Sequence, residues 1–406
     1  MSGATWIRAG AVLAGGELLA DHAVRIEDGV IAELRPGAEA PADAQHTPEG
    51  TLVPGFVEAH GHLSFGYAHD HETVRTRAEH AQPEALRVDI RRHAQEALRG
   101  GVTTLRDCGD RDFTSLAVRD EIARGDIPGP RVLASGPPVT TPGGHLNWCG
   151  GAVAEGSDVG AAVDRLHAEG ADHVKVLASG GGMTAESDPH RPQFSKAQLD
   201  LLVARAAAHG MRVAAHAHSS DAIALCVEAG VHTLEHCSWK GPDGSIDLRL
   251  DVVDEIARRG ISVVITMAGI HRALLPGWPH AAETRDALVG SATGELYGDF
   301  GWARTMLERG CDLVVASDAG VRFTPFTGFP DSIRCGIAAL DISALRAIDM
   351  ATAAAARAVG LPGEAGTIAP GRTADLVLLG GLLTPETREL PALAGVWSRG
   401  AAVPGI

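Results

Sequence analysis

The sequence of 406 residues has no C-x-x-C pair; its six cysteines, Cys108, Cys149, Cys226, Cys237, Cys311 and Cys335, stand singly. They read as reduced, small apolar residues, as in a cytosolic protein. A basic excess is also missing. The formal net charge is −16, which disfavours a nucleic-acid partner, since phosphate binding wants a basic face. No apolar run reaches the ~20 residues of a membrane span, and the N-terminus lacks a basic region followed by a long apolar core. The expectation is a cytoplasmic protein with no membrane partner. No G-x-G-x-x-G turn follows the first strand candidate of the central region, which weakens a doubly wound open sheet. What is present is 45% hydrophobic and 21% charged residues with 50 glycines, the composition of a globular chain with many tight turns.

Residues 4–53 alternate apolar and polar over short stretches, as antiparallel strands do. That texture returns only in GTIAPGRTADLVLLG (366–380) and GVWSRGAAV (395–403). Between them, helical stretches closing on Gly alternate with apolar segments: FVEAH, VTTLRD, RVLASG, HVKVLASG, RVAAHAH, VHTLEH, SVVITM and DLVVASD. Eight β/α units over ~300 residues predict an α/β fold, a (β/α)8 TIM-like barrel over 56–362. Residues 1–55 with 363–406 would form a small β-sandwich-like domain built from both termini.

Barrel chemistry sits at the C-terminal ends of the strands. Those ends carry His60 with His62, Asp107, Ser135, Lys175, His216 with His218, His236, Thr266 and Asp318. Six of the eight bear His, Lys or Asp in otherwise apolar runs, and such groups are costly to bury unless paired or bound to metal. One strand-end histidine is usually only a satisfied polar residue. His60 and His62 at i, i+2 share a face. With His216, His236 and Asp318 they make a donor set suited to zinc and related ions. Asp107 could instead pair with Arg106 or another rim cation. Lys175 lies in a strand that should be buried on both faces. It could snorkel to the rim, but an ammonium beside metal ions is repelled. An amine that adds carbon dioxide becomes an anionic carbamate, N6-carboxylysine, which fits a bridging position.

These motifs resemble the amidohydrolase superfamily, in the branch of Xaa-Pro dipeptidase-like and imidazolonepropionase-related members. The likeness rests on PGFVEAHGH, the strand lysine 175, HAH (216–218), LEHC (234–237), ASDAG (316–320) and GTIAPGRTADLVLL (366–379), with TPGGHLNWCGG (141–151) and KVLASGGGMTAESDPHRPQFS (175–195) pointing to the branch. It implies that His60, His62 and Asp318 hold one divalent ion, that His216 and His236 hold a second, both zinc, and that carboxylated Lys175 bridges them. Glu58 departs from the pattern, where the family usually has Asp.

The implied activity is hydrolysis of an amide C–N bond in an N-acyl amino acid, dipeptide or cyclic amide. A metal-bridging hydroxide would attack, with Asp318 relaying the proton. The alternatives are a mononuclear deaminase or cyclic amidine hydrolase, a metal-dependent isomerase or lyase, or a non-hydrolytic binding protein. Deaminases of this type lack the strand lysine and carry a Glu soon after the His216 position; this chain has Lys175 and no such Glu. A homo-oligomer acting on a small molecule is expected. Substrate-contact candidates are His145, His218, Tyr67 and Arg322, with Arg106 at the end of the second strand. The segment 267–300 reads as a lid or specificity loop carrying His271, Trp278 and Tyr297.

Overall fold

The computed structural model describes residues 4–154, 158–267 and 300–405. The loop candidates His271, Trp278 and Tyr297 lie outside the described residues. Four strands open the chain: β1 (Thr5–Ala14), β2 (Glu17–Glu27), β3 (Val30–Pro36) and β4 (Gln45–Pro54). Eight follow: β5 (Phe56–Gly61), β6 (Val102–Asp107), β7 (Arg131–Ala134), β8 (His173–Leu177), β9 (Arg212–Ser219), β10 (Thr233–Lys240), β11 (Ser262–Thr266) and β12 (Leu313–Ala316). Three close it: β13 (Leu376–Leu379), β14 (Leu393–Ser398) and β15 (Ala401–Ala402). Every strand candidate of the central region is therefore a strand.

The outer strands form one mixed sheet in the order β15-β14-β13-β4-β1-β2-β3. A sandwich-like arrangement was expected; the strands instead make a single continuous sheet. It curls until Val30, at the start of β3, bridges Thr373 just ahead of β13. Ile7, Val24, Ile31, Leu52, Leu376 and Trp397 fill the hollow as a separate core. Alternation is what allows this, because every second side chain of a strand faces the same side.

The central strands run parallel in two sheets, β5-β6-β7 and β12-β11-β10-β9-β8. The sheets meet at both edges. His62 N–H donates to Ala319 O at 2.7 Å and Asp318 N–H to His60 O at 2.9 Å, joining β5 to the segment after β12. Val139 N–H donates to Lys175 O at 2.8 Å, and Leu177 N–H to Val139 O at 2.9 Å, joining the segment after β7 to β8.

Helices cover these strands. They include α1 (His71–His80), α2 (Pro83–Arg99), α3 (Thr114–Arg124), α4 (Val159–Ala168), α5 (Lys196–Ala208), α6 (Ser220–Ala229) and α7 (Leu250–Arg259). Helices α3, α6 and α7 stop at Gly125, Gly230 and Gly260, whose φ of +80°, +83° and +65° suit a residue without Cβ. Helix α5 starts with Ser195 and Gln198 in a reciprocal capping box. Helix α1 was not anticipated. Only Val74 and Ala78 of its side chains are buried, so it lacks an apolar stripe, and Asp70 caps it by accepting from Thr73 N–H. No helix among the described residues is long and apolar enough to cross a membrane.

Candidate metal centre

The ends of β5, β8, β9, β10 and β12 face one pocket. His60 and His62 leave β5 on one side. Their Nε2 atoms lie 3.6 Å and 3.4 Å from Asp318 Oδ1. Ligands ~2.0–2.1 Å from a tetrahedral zinc stand about 3.3 Å apart, so this spacing is that of one shared ion. Among the described residues Asp318 Oδ1 is buried with no hydrogen-bond partner, since neither ring donates to it in proper geometry. A second group, His216, His218 and His236, brings its donor atoms within 4.8 Å of one another.

Each histidine is held from behind. His60 Nδ1 contacts Glu235 Oε2 at 2.7 Å, His62 Nδ1 Gly109 O at 3.2 Å, His236 Nδ1 Thr266 Oγ1 at 2.8 Å and His218 Nδ1 Ser238 Oγ at 2.9 Å. His216 is held through the other nitrogen, Nε2 to Gly180 O at 3.0 Å. One ring nitrogen of each is thus occupied and the other is left for the site, the arrangement that orients imidazole ligands. Burial keeps all five rings well below the ordinary imidazole range; Lys175 adds to the effect at His60, His62, His216 and His236, and neighbouring rings and Lys240 add to it at His218. Metal binding needs the neutral ring. Burial also pushes the Asp318 carboxyl up to about 7, which an adjacent cation would reverse. The residues present therefore fit divalent metal.

Lys175 stands among these groups. Its Nζ is buried without a partner, and no carboxylate lies in ion-pair distance among the described residues.

Backbone strain builds part of the site. In a regular strand, adjacent side chains point to opposite faces. Yet Glu235 reaches His60, and His236 has its ring 4.9 Å from the His60 ring. His236 and Cys237 make this possible by adopting φ of +67° and +52°, which shifts the β9–β10 register. Asp318, at φ +60°, is held in the same way. Left-handed non-glycine residues are costly and gather at such sites.

Glu58 now has a physical role. Its carboxyl is buried, accepts from His60 N–H at 3.1 Å and Ser317 N–H at 3.1 Å, and takes the Ser317 hydroxyl. Burial raises it to about 8. It braces the two segments that carry His60 and Asp318.

Arg106 and Asp107 correct the expectation. Arg106 is buried and donates to Glu235 Oε1 at 2.7 Å, Ala59 O at 2.7 Å and Thr233 Oγ1 at 3.1 Å, so it holds Glu235 behind His60 and does not meet substrate. Asp107 does not pair with it. As the next residue on β6 it points the other way, accepts from Leu63 N–H at 2.9 Å and lies near Asp110. Removing one partner of a buried ion pair leaves the other uncompensated. Arg106→Met is therefore expected to cost about 3–5 kcal/mol, read from the urea midpoint of unfolding.

Of the substrate-contact candidates, His145, His218 and Arg322 line the pocket. The His145 ring lies 4.7 Å from that of His216, with Nδ1 buried and unpartnered. Gly181 makes room for it, since a Cβ there would come within 2.7 Å of the ring. Tyr67 is not brought in; it is 40% exposed and packs edge-on against Phe326. Phe65 lines the pocket instead, stacked on His62 at 4.6 Å. Sequence reasoning also missed His71, Ser238 and Lys240, all of which line the pocket.

The amidohydrolase family model matches residues 51–406. The chain belongs to the amidohydrolase family. Members are generally metal-dependent, in keeping with the histidine groups above. This amidohydrolase is 30% identical to ochratoxinase of Aspergillus niger in an alignment of 266 positions that covers 58% of this chain and 54% of that protein. The match thus spans about half the length of that relative. It is 26% identical to imidazolonepropionase of Nocardia farcinica over 94% of this chain and 91% of that one. Among solved structures, a Xaa-Pro dipeptidase with methionine in its active site superposes with a TM-score of 0.82 at 23% identity, covering 98% of this chain and 99% of the other.

Proposed function

We propose that this protein hydrolyses an amide C–N bond at a pair of divalent ions, zinc in both positions. The observation that carries the reading is the buried, unpaired Lys175 Nζ among the ligand histidines. Carboxylated, it would bridge the ions; His60, His62 and Asp318 would hold one and His216 and His236 the other. The same observation speaks against the single-metal deaminase.

When bound, the metal supplies an activated water and polarises the scissile carbonyl. The chain's own residues do the rest. Asp318 Oδ1 takes the proton released as the carbonyl is attacked and passes it to the leaving nitrogen, so water's oxygen ends on the acyl carbon and its proton on the amine. His145 and His218 hydrogen-bond the substrate. Glu58, Glu235 and Arg106 keep His60 and the Asp318 segment in place. Phe65, Leu177, Ile265 and Trp302 give the pocket apolar wall for the acyl or side-chain portion.

The scaffold that serves this is a closed (β/α)8 barrel over 56–362, with 1–55 and 363–406 as the small domain. The paired edges of the two parallel sheets support closure, as does Arg106 on β6 reaching Glu235 on β10 in the other sheet. The names of its relatives, ochratoxinase, imidazolonepropionase and Xaa-Pro dipeptidase, agree with amide chemistry. The test is a panel of N-acyl amino acids, dipeptides and cyclic amides offered to the zinc-loaded protein, with released amine or ring opening measured. Turnover of at least one class is expected. No turnover of any amide contradicts the reading.

A further inference from the structure

Lys240 closes β10, its backbone bridged on one side to Ser219 of β9 and on the other to Ile246. The residue is only 4% exposed, yet it lines the pocket beside Ser238 and His218. Among the described residues no carboxylate and no hydrogen bond acts on its ammonium. A largely buried cation that faces the pocket with no counter-charge from the described residues is costly unless something else supplies one. Burial accordingly lowers its pKa to about 8.

Apart from Lys175, which stands among the histidines, the pocket wall also carries Arg322. Arg322 acts on His71, whereas Lys240 acts on His216 and His218. Of these two wall cations, Lys240 is the one on the side of the second histidine group. A compact ammonium suits a single carboxylate as a point charge.

We propose that Lys240 is the anchor for a substrate carboxylate, and that the natural substrate is an N-acyl amino acid or dipeptide with a free carboxylate and not a neutral cyclic amide. The proposal rests on the amide-hydrolase reading above and narrows it. The counter-charge that the described residues do not give is then the substrate's own, delivered when the pocket is filled. The apolar wall beside it takes the uncharged part of the same molecule.

The experiment compares an N-acetyl amino acid with its carboxamide in the wild-type protein, Lys240→Met and Arg322→Met. A charge-assisted contact of this kind implies that the wild type favours the carboxylate, and that Lys240→Met lowers the ratio of kcat/KM values about 10- to 100-fold, mostly through KM. A ratio unchanged in Lys240→Met, or lost in Arg322→Met alone, overturns the proposal. Calorimetric binding of the same two compounds keeps the two readings apart. If no amide is cleaved, the hydrolase reading fails, while a carboxylate preference in binding that disappears in Lys240→Met still upholds the anchor. Equal binding of both compounds by the wild type refutes it.

Discussion

Asp318→Asn lowers kcat for the amide substrate by about 10²- to 10⁴-fold, the range that a positioned proton carrier contributes. The substitution keeps the volume of the side chain and one oxygen, so the histidines keep their neighbour. What it removes is a group that can take a proton and return it. Asp318 is suited to that task by geometry: its Oδ1 is buried, lacks a hydrogen-bond partner and stands 3.4–3.6 Å from two imidazole nitrogens. Steady-state kinetics with metal content measured in parallel checks this. A drop in kcat with metal retained marks Asp318 as a proton carrier. A drop that follows metal loss in proportion marks it as a ligand only.

Lys175→Ala is expected to lose activity on the order of 10³-fold. Metal assistance contributes several kcal/mol to such reactions, and each ~1.4 kcal/mol is tenfold in rate. The loss should come with a fall in bound metal, because the proposed bridge is shared by both ions. The variant also leaves a polar hollow where the side chain was. A short carboxylic acid in solution can enter it and return part of the activity, since it offers the same two oxygens as the carbamate. Mass spectrometry under native conditions should show a carbon dioxide adduct on the wild type and none on the variant. A metal-replete, fully active Lys175→Ala protein contradicts the carbamate.

Much of the site could be read from the sequence because strand periodicity carries it. His60 and His62 at i, i+2, Lys175 in an apolar run and the HAH stretch all obey simple alternation. The same rule, applied to Arg106 and Asp107, would have shown that adjacent strand residues cannot pair with each other. Lys240 escaped for the opposite reason. The candidate strand VHTLEH stops at His236, but β10 continues to Lys240 through left-handed residues at His236, Cys237 and Trp239, and no residue type there announces a positive φ. His71 was hidden because α1 buries so little apolar surface that its sequence has no periodicity to detect. Glu58 was the least explicable residue of its motif. Its meaning depended on Ser317, 259 positions away, a contact that only the fold creates.

Titrating the metal-free protein with zinc, while following cleavage of an N-acyl amino acid, tests the central claim most directly. Activity that climbs until two ions are bound per chain is the expected result. Activity that saturates at one ion, or no cleavage at any loading, contradicts it.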